Sequence, residues 1–136
     1  MPSYRTRHSA TLRDFCPELD RLERFDAANQ EDFSTSGRVT GVRRLSQRQL
    51  HLLTEATFFA AFRAYEGFVR DIFLLYCLEK RPPSGAKAKS FLKPKNFDHA
   101  ELLIQSSKSF LDWAGPDDVI KRADLYLNDG FPVKLP

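Results

Sequence analysis

Between Gln47 and Lys80 the chain contains no proline and a single glycine, Gly67. Its start is marked by Ser46 and Gln49, an S-x-x-Q capping box in which the serine hydroxyl and the glutamine side chain satisfy each other's orphan backbone N–H groups. Its end is marked by Pro82-Pro83, which cannot continue a helix. The reading is one helix over about 47–80, about 50 Å long at 1.5 Å per residue. A rod of that length in a 136-residue chain is the element against which the others must pack.

The flanking segments read as three more helices. Pro17 is placed as the first residue of a helix over about 18–32, where its missing N–H costs nothing, with Leu19, Leu22 and Phe25 on one face. The stretch FSTSGRVTGVR (33–43) has no sustained period and reads as a connection. Asp98 is assigned as cap of a third helix bearing Ala100, Leu103 and Ile104, with Phe110 and Trp113 closing its far end. Pro116, followed by Asp117 and Asp118, opens a fourth, which Asp129-Gly130 ends. No strand is predicted. The fold class is therefore all-α, a four-helix bundle-like single domain over 1–136 built on the long central helix.

Composition sets bounds on function. Hydrophobic residues make up 42% and charged residues 29%, the balance of a globular chain with a core rather than a disordered one. No stretch approaches the ~20 apolar residues of a membrane span, and the N-terminal MPSYRTRHSATLRDF has no apolar run like that of a secretory signal, so a cytoplasmic location and no membrane partner are expected. Cys16 and Cys77 stand at no metal-ligand spacing, each beside apolar neighbours, and are read as buried, reduced thiols. Phosphate-loop, dinucleotide-turn and zinc-protease patterns are missing, so no cofactor and no metal are implied. His8 and His99 are read as surface residues.

The charge is unevenly placed. Net charge is +3, yet Lys80, Arg81, Lys87, Lys89, Lys93 and Lys95 follow one another with no acidic residue between them. Such a segment is either a solvated loop or a phosphate-contacting one, with Lys87, Lys89, Lys93 and Lys95 as candidate RNA contacts.

A second cluster lies within the long helix. At 100° per residue, Phe58, Phe62, Tyr65, Phe68, Val69, Ile72 and Tyr76 share one broad apolar side, whereas Arg63, Glu66 and Arg70 gather on the other. Glu66 is three residues after Arg63 and four before Arg70, the spacing of two helix-surface ion pairs. Phe59, Leu74 and Cys77 flank this stripe, so it reads as a face meeting another helix or another subunit, where charges alter pKa values and contact phosphates.

The stretch AAFRAYEGFVRDIFLLYC, a tyrosine–glutamate pair on a long apolar helix, resembles the HEPN superfamily (higher eukaryotes and prokaryotes nucleotide-binding), in particular its RiboL-PSP-HEPN-like branch. The later FLDWAGPDDVIKRADLYLNDGFP, with its tryptophan, proline-initiated helix and closing Gly-x-Pro, is similar to the same branch. Together the two segments cover about half the chain. The resemblance implies a small helical domain of prokaryotic defence or toxin–antitoxin type, a homodimer through the long helix, and, in active members, metal-independent endoribonuclease activity. Its catalytic signature is an arginine followed after four to six residues by a histidine, near the start of a late helix. Nothing after Tyr126 supplies it, and the reading is a C-terminally truncated or degenerate member.

One Arg…His pair of that spacing stands early instead, Arg44 and His51 in RRLSQRQLH. The candidate catalytic residues are thus Glu66, Arg63, Arg70 and His51. Two readings stay open: an RNA-binding or RNA-cleaving domain, and a non-catalytic helical module that dimerises or binds a protein partner such as an antitoxin.

Overall fold

The structure, a computed structural model, describes residues 7–39, 45–106 and 111–133, and of 36–39 the backbone only. The fold is all-α, with four helices among the described residues: α1 (His8–Val39), α2 (Gln47–Cys77), α3 (Phe97–Gln105) and α4 (Pro116–Tyr126), followed by a 3₁₀ turn over Asn128–Gly130. Packing divides it into two units, Met1–Asp14 with Tyr65–Pro136, and Phe15–Ala64. Both α1 and α2 contribute to each. No helix is long and apolar enough to cross a membrane among the described residues.

The expected capping box opens α2. Ser46 N–H donates to Gln49 Oε1 at 2.8 Å, and Gln49 N–H donates to Ser46 Oγ at 3.2 Å. Gly67 does not interrupt the helix. Its end comes three residues before the expected Lys80, through a turn that proline alone does not explain. Glu79 N–H donates to the Tyr76 carbonyl and Lys80 N–H to the Leu75 carbonyl, the paired bonds of a Schellman cap. That cap needs a left-handed residue, and Glu79, not a glycine, takes it with φ of 56°.

Helix α1 corrects the first boundary. It starts at His8 and carries Pro17 inside it, so Pro17 is not the first helical residue. At the other end, residues expected to form a connection continue the helix to Val39, and within it Ser34 Oγ and Thr35 Oγ1 donate back to the Gln30 and Glu31 carbonyls. Helix α3 is capped by Asn96, whose Oδ1 accepts from His99 N–H at 2.8 Å, rather than by Asp98, which falls in the first turn. It ends at Gln105; Trp113 lies beyond it, and Phe110 is outside the described residues. Pro116 opens α4 as expected, but the helix stops at Tyr126, before Asp129-Gly130.

The unit containing the C-terminal half of α2 holds the core. Phe73, Leu74, Leu75 and Cys77 pack with Ala88, Phe97, Ala100, Ile104, Trp113, Val119, Ala123 and Leu127. Phe73 and Trp113 meet ring to ring at 5.3 Å between centroids. Arg122 covers the Trp113 ring at 4.4 Å and donates to the Asp112 carbonyl, a cation–π lid on the core's only tryptophan. Burial pushes the Cys77 thiol up to about 12, so it is a protonated packing group. Cys16, by contrast, is an exposed free thiol, contrary to the buried reading, because it falls on a solvent-facing position of the extended α1.

His8 also corrects the sequence reading. It is 4% exposed, with Nε2 3.2 Å from the Lys80 carbonyl and its ring 4.6 Å from that of Tyr76. No local pattern marks this burial, since the partner carbonyl lies 72 residues away. Desolvation holds its pKa below the ordinary value, against the opposing hydrogen bond that the ring makes to the Lys80 carbonyl. The unfolded chain therefore binds the proton more readily, near pH 6.5, and stability present above that pH falls as the solution is acidified toward the lower folded value. In urea titrations at pH 7.5 and 5.5, the wild-type midpoint is expected to drop more than that of His8→Gln; equal drops would contradict this.

In the unit Phe15–Ala64, α1 and α2 run as a helical pair joined by Gln30 Nε2 donating to Thr54 Oγ1 at 3.3 Å. Leu50 is its buried hydrophobic side chain, while Phe25, Leu52, Phe58, Phe59 and Phe62 are each more than 40% exposed. Along the broad apolar side of α2, Val69 and Tyr76 in the C-terminal turns pack against the core, whereas Phe58, Phe62 and the 44%-exposed Tyr65 face outward. Two helices have too few facing surfaces to cover a stripe that wide.

Candidate functional site

The segment after α2 is not a loose loop. Glu79 Oε1 accepts from the Ser90 backbone N–H at 3.0 Å and from Lys93 Nζ at 3.1 Å. Ser90 Oγ in turn donates to the Tyr126 carbonyl and accepts from Leu92 N–H. Phe91 N–H donates to the Tyr126 carbonyl and Asn128 N–H to the Lys89 carbonyl, closing an antiparallel bridge between Ser90 and Leu127. The end of α2, the basic segment and the exit of α4 thus meet at one polar node. The Ser90 and Lys93 bonds hold the Glu79 carboxyl below the usual range, so it is ionised.

This anchoring decides which side chains face outward. Ala88 is fully buried and Ser90 is 5% exposed, while Lys87, Lys89 and Phe91 are exposed. The period-2 alternation puts the two lysines and the phenylalanine on one side, as alternate residues of an extended chain fall. Phe91 is 64% exposed, a large aromatic ring presented to solvent between Lys89 and Lys93. With Glu79, Ser90 and Asn128 these residues line a hollow of about 470 Å³. A neighbouring hollow of about 590 Å³ is lined by Arg7, His8, Lys80 and Arg81, and the α2 cap joins them, Glu79 facing one and Lys80 the other. Lys95 is exposed, its backbone N–H held by His99 Nδ1 at 3.0 Å; His99 is half-buried rather than a free surface group.

The other candidate residues are placed differently. Arg70 does not pair with Glu66: its guanidinium contacts Asp71 Oδ1 at 3.1 Å and Glu101 Oε1 of α3 at 3.8 Å. Among the described residues neither Arg63, which is exposed, nor Glu66, which is half-buried, enters an ion pair. Arg70 is engaged by Asp71 and Glu101 in place of Glu66, and nothing in the structure explains why Arg63 and Glu66 do not pair. His51 is exposed and lines a shallow hollow with Gln30, Leu50, Thr54 and Glu55; Arg44 lies outside the described residues.

The site as built therefore has two features that the residue count did not supply, Glu79 and Phe91. The alternation KAKSF was the available signal for Phe91. For Glu79 there was none, because a left-handed glutamate is set by the cap and by Ser90, eleven residues on. The arrangement can hold anions on lysines and stack a planar group on a ring. Compared with protein-family models, with curated proteins and with solved structures, the chain matches none.

Proposed function

We propose that the chain is an RNA-binding helical domain of HEPN-like lineage whose contact surface is the segment Lys80–Lys95. The observation that carries this reading is Phe91 exposed between Lys89 and Lys93 on a backbone pinned to Glu79 and Ser90. Cationic side chains tracking a phosphate backbone, with an aromatic ring for bases to stack on, are what sequence-tolerant single-strand binding asks for. Arg7, Lys80 and Arg81 extend the positive surface into the next hollow.

Binding is favoured over cutting by the surroundings of the candidate catalytic groups. General acid–base cleavage needs a titrating group within reach of a charge-stabilising partner. Arg70 is already engaged by two carboxylates, Asp71 and Glu101. Incubating the purified chain with a single-stranded RNA in chelator is expected to give a retained complex with the RNA intact. Cleavage by the wild type that Glu66→Ala or His51→Ala removes would overturn this and restore that residue's catalytic role.

A second reading rests on a separate observation, the exposed Phe58, Phe59 and Phe62 of α2. Contiguous apolar surface of this kind marks association, and a second copy of the chain is the occupant that the family resemblance implies. Sedimentation is expected to show a dimer that Phe58→Ser with Phe59→Ser dissociates; a monomeric wild type at micromolar concentration would contradict it.

A further inference from the structure

The hollow beside Phe91 contains a group that phosphate binding does not use. Glu79 places an ionised carboxylate among lysines, where a general anion site gains nothing from a negative charge. Its Oε1 is occupied by Ser90 N–H and Lys93 Nζ, whereas Oε2 accepts no hydrogen bond among the described residues. The glutamate also sits in the left-handed conformation that glycine would take more easily. Its side chain is 29% exposed, and the same hollow offers the Phe91 ring, Lys89 and Asn128. A carboxylate edge beside an aromatic face is a combination suited to a stacked base with N–H donors on its edge.

We propose that this hollow takes one unpaired guanine of a bound RNA strand, its ring stacked on Phe91, its N1–H and N2–H both directed at the open Oε2 of Glu79 and its flanking phosphate at Lys89. Guanine is the base that fits, because its Watson–Crick edge presents two adjacent donors, whereas adenine and cytosine pair one donor with an acceptor and uracil sets its single donor between acceptors. The Ser90 N–H and Lys93 bonds on Oε1 keep the carboxylate ionised and leave Oε2 uncovered. The inference rests on the RNA-binding reading of the same segment and adds the base to it.

The test uses fluorescence anisotropy of the full chain with labelled uridine 9-mers carrying guanosine, inosine or adenosine at the centre. Inosine lacks the exocyclic amino group and so removes one of the two donors. The expected order of affinity is guanosine, inosine, adenosine, with about tenfold between first and last, within the range by which a good bidentate contact discriminates bases. Glu79→Gln keeps an oxygen for Ser90 N–H but replaces the second acceptor by a donor, and is expected to abolish the preference, so that the guanosine, inosine and adenosine strands bind alike. Phe91→Ala is expected to weaken all strands by about tenfold, and Phe91→Trp to restore them. Equal affinities for the three centres with salt-sensitive binding intact would overturn the guanine site alone. Failure of every strand to bind would overturn the RNA-binding reading together with it.

Discussion

Phe73→Ala is expected to destabilise the chain by about 3–5 kcal/mol, the range for truncating a buried phenylalanine. Phe73 is 1% exposed and stands at the crossing of the C-terminal half of α2 with the segment that carries Trp113. Alanine removes both the transferred apolar area and the ring contact, and leaves a void lined by residues that helical backbones hold apart. Trp113 is the single tryptophan of the chain, so its fluorescence reports this unit directly in a urea titration. Phe59→Ala supplies the comparison, because a ring that is 62% exposed has little burial to lose and is expected to move the midpoint only slightly. Equal midpoints for the two variants would mean that the core does not centre on Phe73.

The combined substitution Lys87→Glu, Lys89→Glu and Lys95→Glu is expected to lower affinity for single-stranded RNA on the order of 100-fold at 100 mM salt, and to flatten its salt dependence by about 0.7 in slope for each lysine that met a phosphate. Lys93 is left in place because its ammonium pairs with Glu79, and reversing it would disturb the cap of α2 as well as the surface. The three altered side chains are exposed, so the fold is expected to persist, which the Trp113 signal checks. Unchanged affinity in a folded variant would remove the segment from the binding surface.

How much of this was legible in the sequence differs from element to element, for physical reasons. Helix α2 was readable from its start through its interior, because the start is chemical, Ser46 with Gln49, and nothing inside it breaks a helix, whereas its end at Cys77 is set by the left-handed Glu79, which the sequence does not mark. The start of α4 was readable for the same kind of reason, a proline at its first position followed by two aspartates. Helix α1 was underestimated at both ends. Pro17 resembles a helix start locally, and the Ser, Thr and Gly residues after Phe33 favour a turn as much as the helix that in fact runs through them to Val39.

The candidate surface was half legible. A run of cations without an acid was visible, and so were Lys87, Lys89, Lys93 and Lys95 as its members. Its rigidity was not, because it depends on Ser90 meeting both Glu79 and Tyr126, pairings separated by 11 and 36 residues. The reverse error occurred on α2. Helical spacing brought Arg63, Glu66 and Arg70 to one side, but spacing cannot show that Glu101 of another helix offers Arg70 a carboxylate.

The central claim is that Lys80–Lys95 meets the phosphates of an RNA strand, and its most direct test is the affinity of the wild-type chain for an unstructured oligoribonucleotide between 50 and 200 mM potassium chloride. Four phosphate contacts predict a slope of log affinity against log salt of about −3, from about 0.7 per contact on a single strand. Affinity that stays level across that range would contradict it.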